Sequence, residues 1–175
     1  LDAQINYVGK EDNSGLGDYC SAGGLIFDTY LPVKIVSVKV YANGAGDREF
    51  LLFDEDFIEI TSTTVYLEDG ENRVELNFDV PEGEGYKIYG DVGSNLFYNS
   101  AGFSYPYLIE NIMSITESSY TPATETKYYF LYDWEVESYS CNSVRSDVTA
   151  TINYSPLAGF EIENNDPTIS FINIS

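Results

Sequence analysis

Alternation of apolar and polar residues predicts β-strands in several parts of the chain. The clearest runs from residue 74 to residue 80, where apolar and polar positions alternate strictly: Val74, Leu76, Phe78 and Val80 against Glu75, Asn77 and Asp79. A period of two places successive side chains on opposite faces of a strand, so one face is predicted to be buried and the other solvated. The turn residues 68–71 come just before this strand and indicate a hairpin in which residues 58–67 form its antiparallel partner.

Other segments repeat this alternation over shorter lengths. Val36, Val38 and Val40 are predicted to share one face of a strand that ends at the turn 43–46, and further strands begin at Arg48 and at Tyr86. Residues 143–154 read as a closing strand. The segment 128–137 is the richest in aromatic residues. Alternate side chains of this segment are predicted to point into the core: Tyr128, Phe130, Tyr132, Trp134 and Val136. Short strands joined by Gly, Asp and Asn turns predict an all-β fold, an antiparallel β-sandwich of the jelly-roll or immunoglobulin-like kind.

Composition agrees with this fold and narrows the partners. The chain has 16 Tyr and 10 Phe, and aromatic residues favour strands. Eight basic residues against 29 acidic ones give a formal net charge of −21, which makes DNA, RNA and anionic membranes unfavourable partners. No apolar run is long enough to cross a bilayer, so no membrane insertion is expected. The predicted partners are a glycan or another surface protein.

Histidine and cysteine usage limits the chemistry. The chain has no His, so the commonest general base and metal ligand is missing, and no Ser or Cys nucleophile has a His to activate it. The sequence therefore predicts a protein that is not an enzyme. Cys20 and Cys141 are the only cysteines. A disulfide that closes a long loop and two buried free thiols are both compatible with this pair.

The end of the chain differs from the rest. Residues 156–175 contain two short strand-like pieces with a turn at 164–167, which indicates the start of another module or a linker. The predicted organisation is a β-sandwich over residues 1–155, with a boundary near Ser155, and a second module or linker over residues 156–175.

Five separated blocks of sequence resemble an accessory β-sandwich domain of secreted Bacteroidetes proteins. The resemblance covers roughly residues 24–152, and the blocks keep their order: 24–28 (GLIFD), 38–46 (VKVYANGAG), 72–81 (NRVELNFDVP), 104–107 (SYPY) and 132–136 (YDWEV). The tail, with Ala158, Phe160 and residues 169–175, is similar to the opening of a polycystic-kidney-disease (PKD) repeat. Such domains occur in large adhesins, peptidases and glycan-degrading enzymes that the type IX route exports.

The resemblance implies an extracellular or cell-surface location and neighbouring domains on the same polypeptide. The expected function is a non-catalytic module of a large surface or secreted protein that is adhesive or binds a glycan. Two alternatives remain open, a structural spacer in a surface stalk and an accessory domain of a secreted hydrolase.

The loop at residues 96–107 is the predicted ligand site. It combines aromatic rings with amide and hydroxyl groups and carries no charge, which is the mixture that carbohydrate recognition needs. The predicted ligand-binding residues are Phe97, Tyr98, Asn99, Tyr105 and Tyr107. The alternative is that Tyr105 and Tyr107 plug one end of the sandwich.

Acidic turns offer a second candidate chemistry. Asp54, Asp56 and Asp69 present oxygen ligands of the kind that Ca²⁺ prefers, although no turn has the spacing of an EF-hand loop. Solvated turns are the alternative in a chain this acidic. Arg73 and Arg145 are expected to hold Asp or Glu side chains structurally rather than to anchor a ligand.

Overall fold

A computed structural model describes residues 2–119, 127–140, 160–165 and 168–173, and the chain divides into two compact units, Leu1–Asn142 and Ser143–Ser175. The strands of the first unit are, in chain order, β1 (Asp2–Val8), β2 (Gly17–Cys20), β3 (Gly23–Thr29), β4 (Val33–Ala42), β5 (Gly46–Phe53), β6 (Glu59–Leu67), β7 (Gly70–Val80), β8 (Gly83–Gly90), β9 (Leu96–Asn99), β10 (Tyr107–Ile109), β11 (Met113–Ser118), β12 (Tyr128–Tyr129) and β13 (Tyr132–Ser140). The second unit contributes β14 (Phe160–Asn165) and β15 (Thr168–Asn173), which pair antiparallel.

The first unit is an antiparallel β-sandwich, which confirms the predicted fold class. One sheet has the order β10-β11-β3-β8-β5-β6. The other has the path β1-β13-β4-β9-β12, with β7 also paired to β4 and β2 to β9. In the described part of the chain all regular structure is strand, and no helix could span a membrane. Apolar side chains from both sheets form one core around Trp134, which is fully buried.

Strand β7 shows the predicted alternation most clearly. Val74, Leu76, Phe78 and Val80 are buried, whereas the three polar residues between them are exposed. The apolar side chains of β7 face the opposite sheet and its polar side chains face water, so one whole face of the strand belongs to the core.

The predicted hairpin between residues 58–67 and β7 is wrong. Strand β6 pairs with β5, and β7 pairs with β4 in the other sheet. The turn 68–71 therefore crosses from one sheet to the other. The Asn72 side chain holds this corner, because its Oδ1 accepts from Glu68 N at 3.0 Å and its Nδ2 donates to Glu68 O at 2.8 Å.

The predicted face of β4 is wrong at one position. Val38 and Val40 are buried as expected, but Val36 is only half-buried, and Ile35 lies in the core instead. The pairing with β7 shifts register between Ile35 and Ser37. A bulge inserts an extra residue, so the alternation changes phase there.

Residues 128–137 do not form one continuous strand. All five residues predicted for the core are buried, but so are Tyr129 and Leu131. Phe130 and Asp133 have positive φ angles of 58° and 43°, which interrupt the extended backbone. The short β12 pairs with β9, whereas β13 pairs with β4 and β1, so the interruption moves the chain between strand neighbours.

Several sequence predictions lie outside the described residues. They are the boundary near Ser155, the closing strand at 143–154, and the roles of Cys141 and Arg145. The assignment of residues 156–175 to a following module therefore stays a prediction.

Candidate functional site

Aromatic rings from the predicted ligand loop close one end of the sandwich. Tyr105 stacks on the fully buried Tyr128, with ring centroids 5.9 Å apart and an interplanar angle of 16°. Tyr107 meets both rings edge-on, at 90° to Tyr105 and 75° to Tyr128, and Phe103 packs beside them. We call Phe103, Tyr105, Tyr107 and Tyr128 the tyrosine plug. Rings at right angles cannot offer a sugar one flat surface, so this arrangement favours the plug alternative.

Hydrogen bonds fix the plug to the backbone. The Tyr105 hydroxyl donates to Lys127 O at 2.9 Å, and the Tyr128 hydroxyl donates to Leu131 O at 2.8 Å while accepting from Lys10 N at 3.0 Å. Removal from water disfavours the phenolate, so burial raises the pKa of Tyr105, Tyr128 and the adjacent Tyr132 well above the usual value.

Asn99 is fully buried, and its whole amide is engaged inside the protein. Its Nδ2 lies 3.3, 3.1 and 3.3 Å from the carbonyl oxygens of residues 13, 14 and 16, and its Oδ1 accepts from the Tyr132 hydroxyl at 2.9 Å. The side chain joins the 13–16 loop to β9 and β13. No hydrogen-bonding capacity is directed at solvent, so Asn99 is placed as a structural residue.

Phe97 and Tyr98 are half-buried and belong to different contacts. Phe97 meets Tyr19 edge-on at 5.2 Å, whereas Tyr98 packs against Tyr129 at 5.7 Å and has Lys127 Nζ 4.8 Å from its ring centroid. The five residues predicted to bind a ligand are thus spread over four separate arrangements.

The three predicted calcium ligands are not brought together. Asp54 and Asp56 follow β5 at one end of the β5–β6 pair, where Phe53 faces Glu59. Asp69 follows β6 at the opposite end, where Leu67 faces Gly46, and its Oδ1 accepts from Gly44 N at 2.6 Å. Seven residues of extended chain separate the two ends, which corresponds to roughly 20 Å. Among the described residues no group of three or more acidic or Cys side chains is placed to hold a metal ion.

A buried lysine ammonium occupies the acidic turn after β5. Lys87 Nζ donates to the carbonyl oxygens of Asp54, Glu55 and Gly85 at 3.2, 2.8 and 3.0 Å. Asp54 Oδ1 is itself engaged by the backbone N–H groups of Asp56 and Ile58. The carbonyl oxygens of this turn therefore already have a cationic donor within the protein.

We expect Lys87→Met to destabilise the protein by about 2 kcal/mol, because the apolar stem is kept while three carbonyls lose their donor. Lys34→Met is the matched control, since Lys34 Nζ makes only a 3.7 Å ion pair with the exposed Asp79, and its loss should cost less than about 1 kcal/mol. Urea unfolding measures both variants. Equal midpoints for the two variants would contradict the structural role of Lys87.

Arg73 holds acidic side chains as expected. Its Nη1 donates to Asp133 Oδ2 at 2.9 Å, its Nη2 lies 3.5 Å from Glu135 Oε2, and its Nε donates to Ser37 Oγ at 2.8 Å. This network ties β7, β4 and β13 together across the solvent side of their sheet.

An open groove with aromatic walls lies on the outer face of the other sheet. Phe50, Leu52 and Ile88 point into the core, so their neighbours along β5 and β8 point outward. The groove encloses about 290 Å³. We define the aromatic groove by the apolar side chains that line it, which are Leu51, Phe53, Phe57, Tyr89 and Val92.

The rings of the groove form one cluster. Tyr89 meets Phe53 edge-on at 5.8 Å and lies 6.2 Å from Phe57, and Phe53 and Phe57 are 6.1 Å apart. Phe57 remains 59% exposed and Val92 80% exposed, and both line the same groove. Unlike the plug, this cluster leaves large apolar faces in contact with solvent.

Phe57 keeps its position at a conformational cost. Its φ of 62° lies in the left-handed region, which costs a non-glycine residue on the order of 1 kcal/mol. Hydrogen bonds to Asp54 fix the turn, and Lys87 Nζ lies 4.5 Å from the Phe57 ring centroid. Glycine would adopt this backbone conformation more easily than phenylalanine does. The presence of an exposed ring at this position therefore favours a functional role for the ring.

A polar depression of about 230 Å³ adjoins the groove and shares Asp91 and Val92 with it. Glu49, Thr64 and Ser94 also line the depression. Arg48 lines it too, and its guanidinium donates hydrogen bonds to Ser94 O and Gly44 O. The two hollows together place hydrogen-bonding groups at one end of an aromatic surface.

Sequence reasoning missed the groove, although β5 carried a signal. Leu51 and Phe53 occupy the outward phase of a strand whose inward phase, Phe50 and Leu52, is already apolar. A strand that is apolar on both faces needs a second partner for its outer side. Cys20 lies elsewhere, on β2, and is half-buried. A disulfide with Cys141 and two free thiols both stay predictions, because Cys141 lies outside the described residues.

Comparison with protein-family models, with curated proteins and with solved structures found no match. The chemistry of the groove therefore follows from its own residues.

Proposed function

We propose that this chain is a non-catalytic, extracellular binding module that recognises a neutral glycan at the aromatic groove. The observation that carries the proposal is the ring cluster of the exposed Phe57 and the half-buried Phe53 and Tyr89 beside a polar depression. The apolar face of a sugar ring packs on an aromatic ring, and its hydroxyls donate to carboxylate and hydroxyl oxygens. Asp91 and Glu49 supply such oxygens at one end of the groove.

Charge selects the class of glycan. The chain carries a formal net charge of −21, and Asp47, Glu49 and Asp91 surround the depression. Sulfated, phosphorylated or uronic-acid glycans would bring further negative charge to this surface, and the repulsion would weaken binding. Neutral sugars avoid this cost while keeping the hydrogen bonds.

The composition of the groove favours binding over catalysis. Asp91 is the one carboxylate among the described residues that line it. Glycoside hydrolysis ordinarily needs two carboxyl groups on either side of the scissile bond. Asp47 and Glu49 lie with Asp91 along the adjoining depression, so these acids stand together at one end of the groove rather than on either side of a sugar packed on the rings.

The tyrosine plug favours the alternative function, a spacer domain in a surface stalk. It closes one end of the sandwich with rings that contact each other, which suits a domain whose role is mechanical. A spacer needs no exposed ring at a strained turn, however, so Phe57 distinguishes the two functions.

A glycan array that contains neutral, sulfated and sialylated oligosaccharides tests the proposal. We expect the wild type to retain neutral glycans, and Tyr89→Ala to weaken their binding by about tenfold or more. Phe57→Gly should abolish retention while changing stability by less than about 1 kcal/mol, because relief of backbone strain offsets the lost ring contacts. Tyr139→Ala, which removes an exposed ring from β13 of the other sheet, is the matched control and should bind normally.

Two outcomes would overturn the proposal. One is an array on which the wild type retains no neutral glycan. The other is retention that survives both groove substitutions, which would place the ligand elsewhere on the module.

A further inference from the structure

Strand β6 forms an open edge of the sandwich. It ends the order β10-β11-β3-β8-β5-β6 and pairs with β5 on one side only. A strand in this position directs every second pair of backbone N–H and C=O groups away from its sheet. Nine residues of β6 are extended, and from Ile60 to Leu67 they include no charged residue, Pro or Gly.

Most other edges in the described part of the chain are protected in ways that β6 is not. Strand β10 has three residues and β12 has two, which is too short to pair stably with another chain. Strand β7 carries Glu71, Arg73, Glu75 and Asp79 along its solvent face. Edge strands normally avoid unwanted pairing by shortness or by charge, and β6 uses neither device. Strand β1, with seven residues, is the nearest comparable edge.

We propose that β6 is a docking edge for an extended segment of another polypeptide that is neutral in the middle and basic at both ends. The neutral middle follows from the side chains of β6, which are mostly Thr, Ser, Ile and Val. The basic ends follow from the acidic residues that flank the strand, Glu55, Asp56 and Glu59 at its start and Glu68 and Asp69 at its end. Backbone hydrogen bonds supply the affinity, and the terminal charges set the register.

The same charges argue against a second copy of this chain as the partner. Antiparallel pairing of two β6 strands would place the acidic start of one beside the acidic end of the other, at both ends of the interface. Like charges in such positions are destabilising, and each copy also carries a formal net charge of −21. A segment with basic ends would instead be attracted both by the acidic residues at the ends of β6 and by the negative net charge of the chain.

A peptide titration tests this edge. The probe is a peptide as long as β6, with alternating threonine and valine between terminal lysines, and its counterpart has glutamates at the ends. We expect the lysine peptide to bind and to protect amide protons of β6 from hydrogen exchange, and the glutamate peptide to bind at least about tenfold more weakly.

Charge reversal supplies the matched comparison. Glu59→Lys combined with Glu68→Lys lowers the charge of the five flanking acids from −5 to −1 and should remove most of the preference of β6 for the lysine peptide. Glu75→Lys combined with Glu82→Lys changes the net charge equally at exposed sites away from this edge and should leave the preference unchanged. Binding without new protection in β6, equal affinity for both peptides, or a stable homodimer formed through β6 would each overturn the proposal.

Discussion

Raising the pH above about 10 is expected to unfold the first unit cooperatively. Tyr105, Tyr128 and Tyr132 have pKa values raised chiefly by burial, and Tyr41 has a pKa raised to about 12 for the same reason. The unfolded chain ionises its tyrosines near pH 10, whereas the folded chain holds these protons to higher pH. Their contribution to stability is therefore complete below pH about 10 and is lost as the pH rises through the raised values.

The size of this effect is large for a single domain. Each tyrosine that keeps its proton in the folded state lowers the unfolding free energy by about 1.4 kcal/mol per pH unit once the unfolded state is ionised, so Tyr105, Tyr128 and Tyr132 together remove about 4 kcal/mol per unit. A domain ordinarily has a free energy of unfolding of about 5–15 kcal/mol. At this rate it falls to zero within about one to four pH units above pH 10. Tyrosinate absorbance and far-ultraviolet circular dichroism should therefore change together in one step.

Conservative variants separate this mechanism from general alkaline damage. Tyr105→Phe removes one buried ionisable hydroxyl and should move the unfolding midpoint to higher pH. Tyr66→Phe changes a ring that is 60% exposed and should leave the midpoint unchanged. Smooth ionisation of all tyrosines near pH 10 with the circular dichroism intact would contradict the buried positions of Tyr128 and Tyr132 and the hydrogen-bonded position of the Tyr105 hydroxyl.

Asn99→Ala is expected to destabilise the first unit by about 3 kcal/mol. The substitution leaves three backbone carbonyls of the 13–16 loop without their shared donor and the Tyr132 hydroxyl without its best acceptor. Unpaired buried polar groups cost about 1–3 kcal/mol each, and partial rehydration of the loop recovers part of the total. The corresponding fall in melting temperature is roughly 10 °C.

Asn6→Ala is the control for this experiment. Asn6 Nδ2 makes only long hydrogen bonds, 3.3 Å to Gln4 O and 3.4 Å to Ser138 Oγ, so its loss should cost less than about 0.5 kcal/mol. Calorimetric melting measures both variants. A melting temperature for Asn99→Ala equal to that of the wild type, together with weaker glycan binding, would return the 96–107 loop to the role of ligand site.

The fold class follows from local patterns, whereas the strand pairing does not. The alternation in β7 and the turn-rich spacing predict the sandwich because period-two burial is a property of each strand alone. The corner at residues 68–71 looks like a hairpin turn in sequence, because Gly70 and its acidic neighbours suit either connection. Whether a turn stays within a sheet or crosses to the other depends on what β4 and β5 pair with, and local residues do not encode that choice.

Aromatic rings beside hydrogen-bonding groups predict a ligand site, and in the sequence that combination occurs in the 96–107 loop. Rings are needed both to seal a sandwich and to bind a sugar, so aromatic richness alone does not separate the two roles. What separates the two roles is exposure, which depends on the distant partner Tyr128. The groove joins β5, its following turn, β8 and the turn at Val92, and these segments meet only after the sheet has formed.

The central claim is that the groove leaves the Phe57 ring open to solvent, whereas the rings of the tyrosine plug pack against one another. Hydroxyl-radical footprinting of the intact chain tests it most directly, because oxidation rates follow the solvent exposure of each side chain. The account predicts rapid oxidation of Phe57 and slow oxidation of Tyr105 and Tyr128. Oxidation of Tyr105 as fast as that of Phe57 would contradict it.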